Sequence, residues 1–325
     1  MNILFCSVGR RGKLVEFFKE TMNGEGCIVA TDLSPYAPAL YLADKQYIVP
    51  RIDSPDYITT ILEICKKESI QAVTTFIDPE IEVLAKNREK FEELGIEVLA
   101  PYAATAEYCF DKYKMFQYLS KNAIATVPTY GCLEEFMEAY NEGKEKFPVF
   151  VKPRTGSGSV GARKVDSLEE LKVLTNEDST LIVQKLMCGE DLDVDVYVDT
   201  VSKEVVSAFS KRKIETRIGG ASKTISFKDE KLFDIVKEVV SVFEFNGPID
   251  MDFFKVDGEY YLSEINPRFG GAYLHAYGAG VDFIKLIQNN IKGNANEPII
   301  GEYEEDVVMM MYDSVVIAKK SELKM

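Results

Sequence analysis

The sequence predicts a two-part architecture, α/β at the start and α+β beyond: a parallel sheet first, then a larger strand-rich region. Three patterns carry that prediction. Over the first hundred residues, short apolar runs alternate with amphipathic helical stretches, the pattern of βαβ units. Over 191–199, Asp191, Asp193, Asp195 and Asp199 fall on one face and Leu192, Val194, Val196 and Val198 on the other, which predicts a half-buried antiparallel strand. Two further apolar runs, 249–256 and 260–265, flank Asp257-Gly258.

The elements follow in order. A strand over 3–6 ends in Ser7-Val8-Gly9-Arg10-Arg11-Gly12, and a helix with Leu14, Val15, Phe17 and Phe18 on its apolar side comes next. A strand over 27–30 leads to Asp32, and 47–49 is extended before Pro50. Helix 57–67 carries Ile58, Ile61, Leu62 and Cys65 on one face. A strand over 72–77 reaches Asp78-Pro79-Glu80. One helix is expected over 81–94, closed by Gly95, and then a strand over 96–99. One helix is also expected over 105–121. Helix 133–142 precedes strand 147–153, the small-residue loop 155–161, helix 167–174 and strand 181–185. Strand 205–212 is expected to pair with 191–199. Helices follow over 229–244 and 281–291, and 309–311 with Tyr312 reads as a buried strand. The expected divisions are 1–108, 109–186 and 187–325.

Composition removes several function classes. The chain has 325 residues, with Lys+Arg 38 against Asp+Glu 53 and a net charge of −15. That balance argues against gripping nucleic acid or an anionic membrane through bulk charge. The six cysteines form no CxxC, and with His275 as the single histidine no Cys/His zinc site fits normal spacing. Scattered thiols predict a cytoplasmic protein. The N-terminal apolar run is short and its basic pair follows it, which is not the order of a signal peptide. No stretch has the roughly 20 apolar residues of a membrane span.

Three constellations carry chemistry. In the first, Lys152 ends a strand just before Thr155-Gly156-Ser157-Gly158-Ser159-Val160-Gly161. Glycines and serines there let backbone N–H groups approach a polyanion. The loop is not a Walker P-loop, because no Gly-Lys-Ser/Thr opens the next helix. In the second, Asp250, Asp252, Glu264 and Asn266 flank Asp257-Gly258 and all share parity. An odd-length, three-residue loop would put all four on one face, whereas a two-residue turn would separate Asp252 from Glu264. Hard oxygens crowded on one face suit Mg²⁺ that bridges phosphates. Arg268 could reach the same anions. In the third, Arg10 and Arg11 follow the first strand. Gly9-Arg10-Arg11-Gly12 lacks the spaced glycines of a nicotinamide site with Asp32 as ribose anchor, so these arginines are candidates for a substrate carboxylate. Lys211-Arg212-Lys213 reads as a solvated strand end, with the alternative that Arg217 and Gly219-Gly220, which follow it, form a loop over an anionic substrate. His275 reads as a packing or substrate-lining residue.

Taken together, Asp111-Lys112, the strand 148–153 with its loop 156–161, Val183-Gln184-Lys185, Gly189-Glu190-Asp191 and Ser263-Glu264-Ile265-Asn266-Pro267-Arg268 resemble the ATP-grasp superfamily. The match runs over 1–290 or so. It is most similar to the carbamoyl-phosphate synthase large-subunit type and the single-domain amino-acid ligases near it. The chain has room for one of the two ATP-grasp halves of such a large subunit.

The resemblance implies a pre-ATP-grasp domain followed by a two-lobed ATP-grasp fold. It implies an ADP-forming ligase that activates a small carboxylate as an acyl phosphate and transfers it to an amine. Alternatives are an activating subunit that needs a partner protein and a non-catalytic nucleotide-binding regulator. Lys112 and Lys152 would contact ATP phosphates, with Gly156, Ser157, Gly158, Ser159 and Gly161 closing over them. Gln184, Lys185 and Leu186 would line the adenine, and Asp191 would hold the ribose. Glu is frequent in the family where Lys185 stands. Asp252, Glu264 and Asn266 would hold Mg²⁺ (or Mn²⁺), with Asp252 preferred to Asp250. Arg268 would stabilise the transferred phosphoryl group. Arg212, Arg217, Gly270 and Gly271 would face the carboxylate. A homodimer is the expected assembly.

Overall fold

The computed structural model describes residues 1–156, 158, 160–217 and 220–323. Its strands form three sheets. The first is parallel, in the order β3-β2-β1-β4-β5, from β1 (Asn2–Cys6), β2 (Cys27–Asp32), β3 (Lys45–Ile48), β4 (Ala72–Thr75) and β5 (Glu97–Val98). Its buried residues pack into two cores, one of them around Leu4, Val29 and Val73. The second sheet is antiparallel, ordered β6-β9-β7-β8, from β6 (Thr129–Tyr130), β7 (Val149–Pro153), β8 (Arg163–Val165) and β9 (Leu181–Lys185). Val149, Val151 and Val183 seal one side of it against Phe136 and Leu171. Strand alternation sends Phe150 and Lys152 to the other side. The third sheet is ordered β14-β13-β10-β11-β12-β15, from β10 (Glu190–Val198), β11 (Val205–Arg217), β12 (Gly220–Phe227), β13 (Gly247–Val256), β14 (Glu259–Asn266) and β15 (Val308–Met310). The parallel sheet followed by antiparallel lobes is the predicted fold class.

Two long helices predicted from the sequence are each broken in two. The stretch 81–94 becomes α3 (Asp78–Lys86) and α4 (Arg88–Glu92), after α1 (Gly12–Met22) and α2 (Tyr57–Glu68). Asn87 leaves helical geometry, its side chain bonding Val83 O, and the Arg88 that follows is buried against the carbonyls of Ala100 and Pro101. The stretch 105–121 becomes α5 (Ala103–Phe110) and α6 (Lys112–Lys121). Asp111 is extended and caps α6 by accepting from the N–H groups of Tyr113 and Lys114. This cap puts Lys112 at the first position of the helix.

The hairpin β13–β14 differs from expectation in an instructive way. Its turn has two residues, not three: Asp257 and Gly258 both have positive φ, at 51° and 84°. From Val256↔Glu259 to Phe253↔Leu262 the ladder keeps the register of that turn. It then shifts, so that Asp252 faces Glu264 and Asp250 faces Asn266. Ser263 is the extra, unpaired residue of a β-bulge, and the bulge restores the common face that a two-residue turn alone would destroy.

Two further expectations fail on burial. β10 is buried on both faces, not half-buried: Asp193, Asp195 and Asp199 are covered. The strand 309–311 is an exposed edge, with Met310 66% and Tyr312 87% exposed, because among the described residues β15 pairs with β12 alone. No described helix is long and apolar enough to cross a membrane.

An aromatic series joins the first sheet to the third. Phe5 meets Phe18 at 4.7 Å, Phe18 meets Phe269 at 5.7 Å, and Phe269 meets Tyr273 at 4.8 Å between ring centroids. Phe269 directly follows Arg268, so this packing fixes where Arg268 enters.

Glu80 gives a stability prediction. It is buried, with the hydroxyls of Tyr57 and Thr75 donating to its carboxyl, and burial pushes its pKa up to about 8. Unfolded, it titrates near 4.3. A folded pKa above the unfolded one means stability present at low pH and lost as pH rises towards 8. Glu80→Gln is therefore expected to melt close to the parent at about pH 5 and above it at about pH 9. A difference independent of pH contradicts this.

Candidate functional site

A cavity of about 670 Å³ opens between the three sheets. β7 supplies Phe150 and Lys152 to its wall, and β10, β11, β13 and β14 supply Asp191, Asp193, Lys213, Asp250, Asp252, Glu264 and Asn266. The parallel sheet contributes Arg11 after β1 and Phe76, Ile77 and Asp78 after β4. These are the carboxyl ends of parallel strands, where ligands of open sheets bind.

Glu264 stands between two lysines. Lys112 Nζ lies 3.7 Å from its Oε1 and Lys152 Nζ lies 3.7 Å from its Oε2. Lys112 also donates to Gly156 O at 2.7 Å, which ties the glycine-rich turn to the same spot. Burial lowers the pKa of Lys152, and Glu264 opposes that shift. Gly156 and Gly158 line the cavity with φ of 111° and 69°, values that side chains other than glycine rarely adopt. Gly161 packs on Pro153 outside the lining, and Ser157 and Ser159 lie outside the described residues.

Behind Glu264 lies a buried ladder of charge. The register sets Asp193 opposite Asp252 and Asp195 opposite Asp250. Lys213 Nζ bridges Asp191 at 2.9 Å and Asp252 at 2.5 Å. Lys211, fully buried, sits 2.9 Å from Asp193 Oδ1 and bonds Asp195. Burial pushes the Asp250 carboxyl far up, and Asp193 and Asp252 add to it. Asp195 is pushed up to about 7 by burial against the pull of Lys211. Burial also raises Asp252, with Lys213 opposing.

Arg268 is held from three sides. Its Nε donates to Asp78 at 2.6 Å, its NH1 to Phe269 O and its NH2 to Asn266 Oδ1 at 3.2 Å. Burial works against its charge, but Asp78 more than offsets this and keeps its pKa high. Arg11 lines the cavity near Gly271 and makes no ion pair with a described residue. Burial first, then Arg268, lowers its pKa to about 10.

The structure brings together Lys112, Lys152, Gly156, Gly158, Asp191, Asp252, Glu264, Asn266, Arg268, Arg11 and Gly271. It leaves others out. Arg212 faces away from the cavity, because alternation along β11 gives the inner face to Lys211 and Lys213. Its Nε bonds Glu190 at 2.6 Å. Arg217 and Arg10 are exposed and drawn outward to Asp313, at 3.2 and 3.9 Å. His275 is buried outside the lining, bonded to Thr224 Oγ1 at 2.7 Å, and burial lowers its pKa to about 4. Gln184 lies opposite Phe150 and donates to Thr129, whereas Lys185 is exposed and Leu186 half-buried; none of the three lines the cavity. Gly270 lies beneath the lining against Asp250 and Asp195.

Lys211-Arg212-Lys213 is therefore not a solvated strand end. The sequence patterns mark Asp78, Lys211 and Lys213 only as strand-end residues and assign them no role in the site. The signal was present for the lysines: alternate cations on a strand predicted to pair with alternate aspartates.

The donor set fits a hard divalent cation. Asp252 and Glu264 are cross-strand neighbours with oxygen ligands, and Asn266 adds an amide oxygen. Among the described residues, the tightest carboxylate trio is instead Asp193, Asp195 and Asp250, with ligand oxygens within 4.8 Å of one another, and Lys211 occupies it.

Residues 109–272 match the ATP-grasp domain, and residues 3–99 match the PylC-like N-terminal domain. The chain belongs to the ATP-grasp family, and it is an enzyme of that family's ADP-forming, C–N bond-forming ligase class. It is 26% identical to a carbamoyl-phosphate synthase of Methanobrevibacter smithii over 90% of this chain and 81% of that one. It is 27% identical to a formate-dependent phosphoribosylglycinamide formyltransferase of Prochlorococcus marinus over 54% of this chain, which spans 43% of that protein. In fold it matches N5-carboxyaminoimidazole synthetase of Staphylococcus aureus, solved with ADP. The TM-score is 0.75 at 17% identity, covering 91% of this chain and 78% of that one.

Gly270 gives a test of the ladder. A Cβ there would lie 2.7 Å from Asp250 Oδ1 and 2.9 Å from Asp195 Oδ1. Gly270→Ala is expected to lower unfolding stability by about 1–3 kcal/mol in denaturant titration. An unchanged midpoint contradicts the packing described.

Proposed function

We propose that this chain uses ATP to activate a small carboxylate as an acyl phosphate and passes the acyl group to an amine. The observation that carries this is Glu264, set between Lys112 and Lys152 and opposite Asp252, beside the glycine-rich turn. Paired amines and exposed backbone N–H groups suit a triphosphate. Asp252, Glu264 and Asn266 would hold Mg²⁺, which when bound neutralises charge on the phosphate oxygens.

A carboxylate is a poor electrophile. One of its oxygens attacks the γ-phosphorus of ATP, the bond to the β–γ bridging oxygen breaks, and ADP leaves. The amine nitrogen then attacks the acyl carbon, phosphate departs with the C–O bond electrons, and the amine proton goes to solvent. Lys112 and Lys152 bind and orient the phosphates. Arg268, braced by Asp78, stabilises charge on the transferred phosphoryl group. Arg11, beside Gly271 and close enough to Arg268 to feel its charge, supplies a cation to the carboxylate. No side-chain nucleophile is required, which suits a site without histidine. Asp191 would hold the ribose, and Phe150 and Phe254 offer apolar surface for the base.

The test is Mg·ATP-dependent phosphate release against a panel of small acids paired with amines. One acid–amine pair is expected to raise turnover. Glu264→Ala is expected to cut kcat about 100-fold or more. Arg11→Met is expected to raise KM for the acid roughly 10- to 100-fold with KM for ATP unchanged. Arg212→Ala is expected to change neither constant. Nucleotide binding with no acid-dependent turnover overturns the ligase reading, and equal effects of Arg11→Met and Arg212→Ala overturn the assignment of Arg11.

A further inference from the structure

Lys211 has no exposed surface, yet it is a lysine in the middle of a strand. Among the described residues, Asp193 and Asp195 form ion pairs with Lys211 alone. Asp250, across the ladder from Asp195, adds a third oxygen, and the three ligand oxygens fall within 4.8 Å of one another. That is the span of carboxylates sharing one divalent cation. Asp195 Oδ1 and Asp250 Oδ1 are buried with no hydrogen-bond partner among the described residues. Both press against Gly270, where any side chain would collide with them. The trio is thus closed on the side of Gly270 and filled from β11 by an ammonium group. Arg268 approaches Asp250 only at 3.9 Å.

We propose that Lys211 is a positioning residue whose ammonium is the resident counter-cation of a three-carboxylate cation site. It keeps divalent metal out of Asp193, Asp195 and Asp250. A divalent ion in the trio would draw Asp250 towards β10 and compete with the Asp252–Glu264 pair one register step away. The ammonium supplies one charge and three donors and demands no further ligands, where a divalent ion would call for about six to eight oxygens. β13 then presents its carboxylates to the cavity in one arrangement, whatever the metal concentration.

The experiment counts Mn²⁺ on the full chain without nucleotide, by the electron paramagnetic resonance signal of free Mn²⁺. It compares the parent chain, Lys211→Met, Lys211→Arg and the double variant Lys211→Met/Asp195→Asn. Methionine approximates the length of lysine without its charge. Lys211→Met is expected to bind one more Mn²⁺ per chain than the parent and to gain melting temperature when Mn²⁺ is added. Lys211→Arg, which keeps the charge, and the double variant, which loses a ligand, are expected to bind no extra ion. A merely structural lysine would leave the count unchanged, so equal counts in folded parent and Lys211→Met overturn the proposal. If Lys211→Met folds only with Mn²⁺ present, the proposal stands, because the metal then replaces the amine. If it stays unfolded even at high Mn²⁺, the proposal fails. The count needs neither ATP nor an acid, so it is independent of the ligase reading.

Discussion

Ser263 has no partner across the hairpin, and the register on either side of it governs what reaches the cavity. The two-residue turn at Asp257-Gly258 alone would send Glu264 and Asn266 to the face opposite Asp252 and Asp250. One extra residue reverses that, because side chains alternate with period two and a slip of one exchanges the faces. The result is a dense set of oxygens in one place: Asp250 against Asn266 and Asp252 against Glu264. Bulges re-aim side chains in this way beside functional sites.

Such a set cannot stand unsupported in a buried position. β11 provides support from the far side, with Lys211 and Lys213 against the aspartates of β10. β7 and α6 provide it from the near side, with Lys152 and Lys112 against Glu264. The parallel sheet supplies Asp78 to Arg268, and the aromatic contacts through Phe18 and Phe269 hold that sheet to the third one. The cavity is therefore a junction whose charges are balanced by separate elements, and Arg11 lines it without an ion pair among the described residues.

Much of this was legible in the sequence. The run through Glu264, Asn266 and Arg268, the strand lysine before a glycine-rich loop and the shared parity of four polar residues all pointed to the residues that meet. The alternation over 191–199 gave the strand but not its burial, because period two cannot distinguish water from a second covering layer. The resemblance implies that Arg212 faces the carboxylate, yet the register with β10 gives the inner face to the lysines. The bulge was invisible for a related reason: pairing register is a tertiary property. Asp111 and Asn87 broke predicted helices through local side-chain bonds that compete with helix continuation.

The central claim is that Asp252 and Glu264 form the metal face of a nucleotide site whose phosphates meet Lys112 and Lys152. A crystal structure of the chain with Mg²⁺ and a non-hydrolysable ATP analogue tests it most directly. The account predicts the ion between Asp252 and Glu264, with the phosphates within hydrogen-bonding reach of Lys112 and Lys152. An ion seated among Asp193, Asp195 and Asp250, or phosphates away from both lysines, would contradict it.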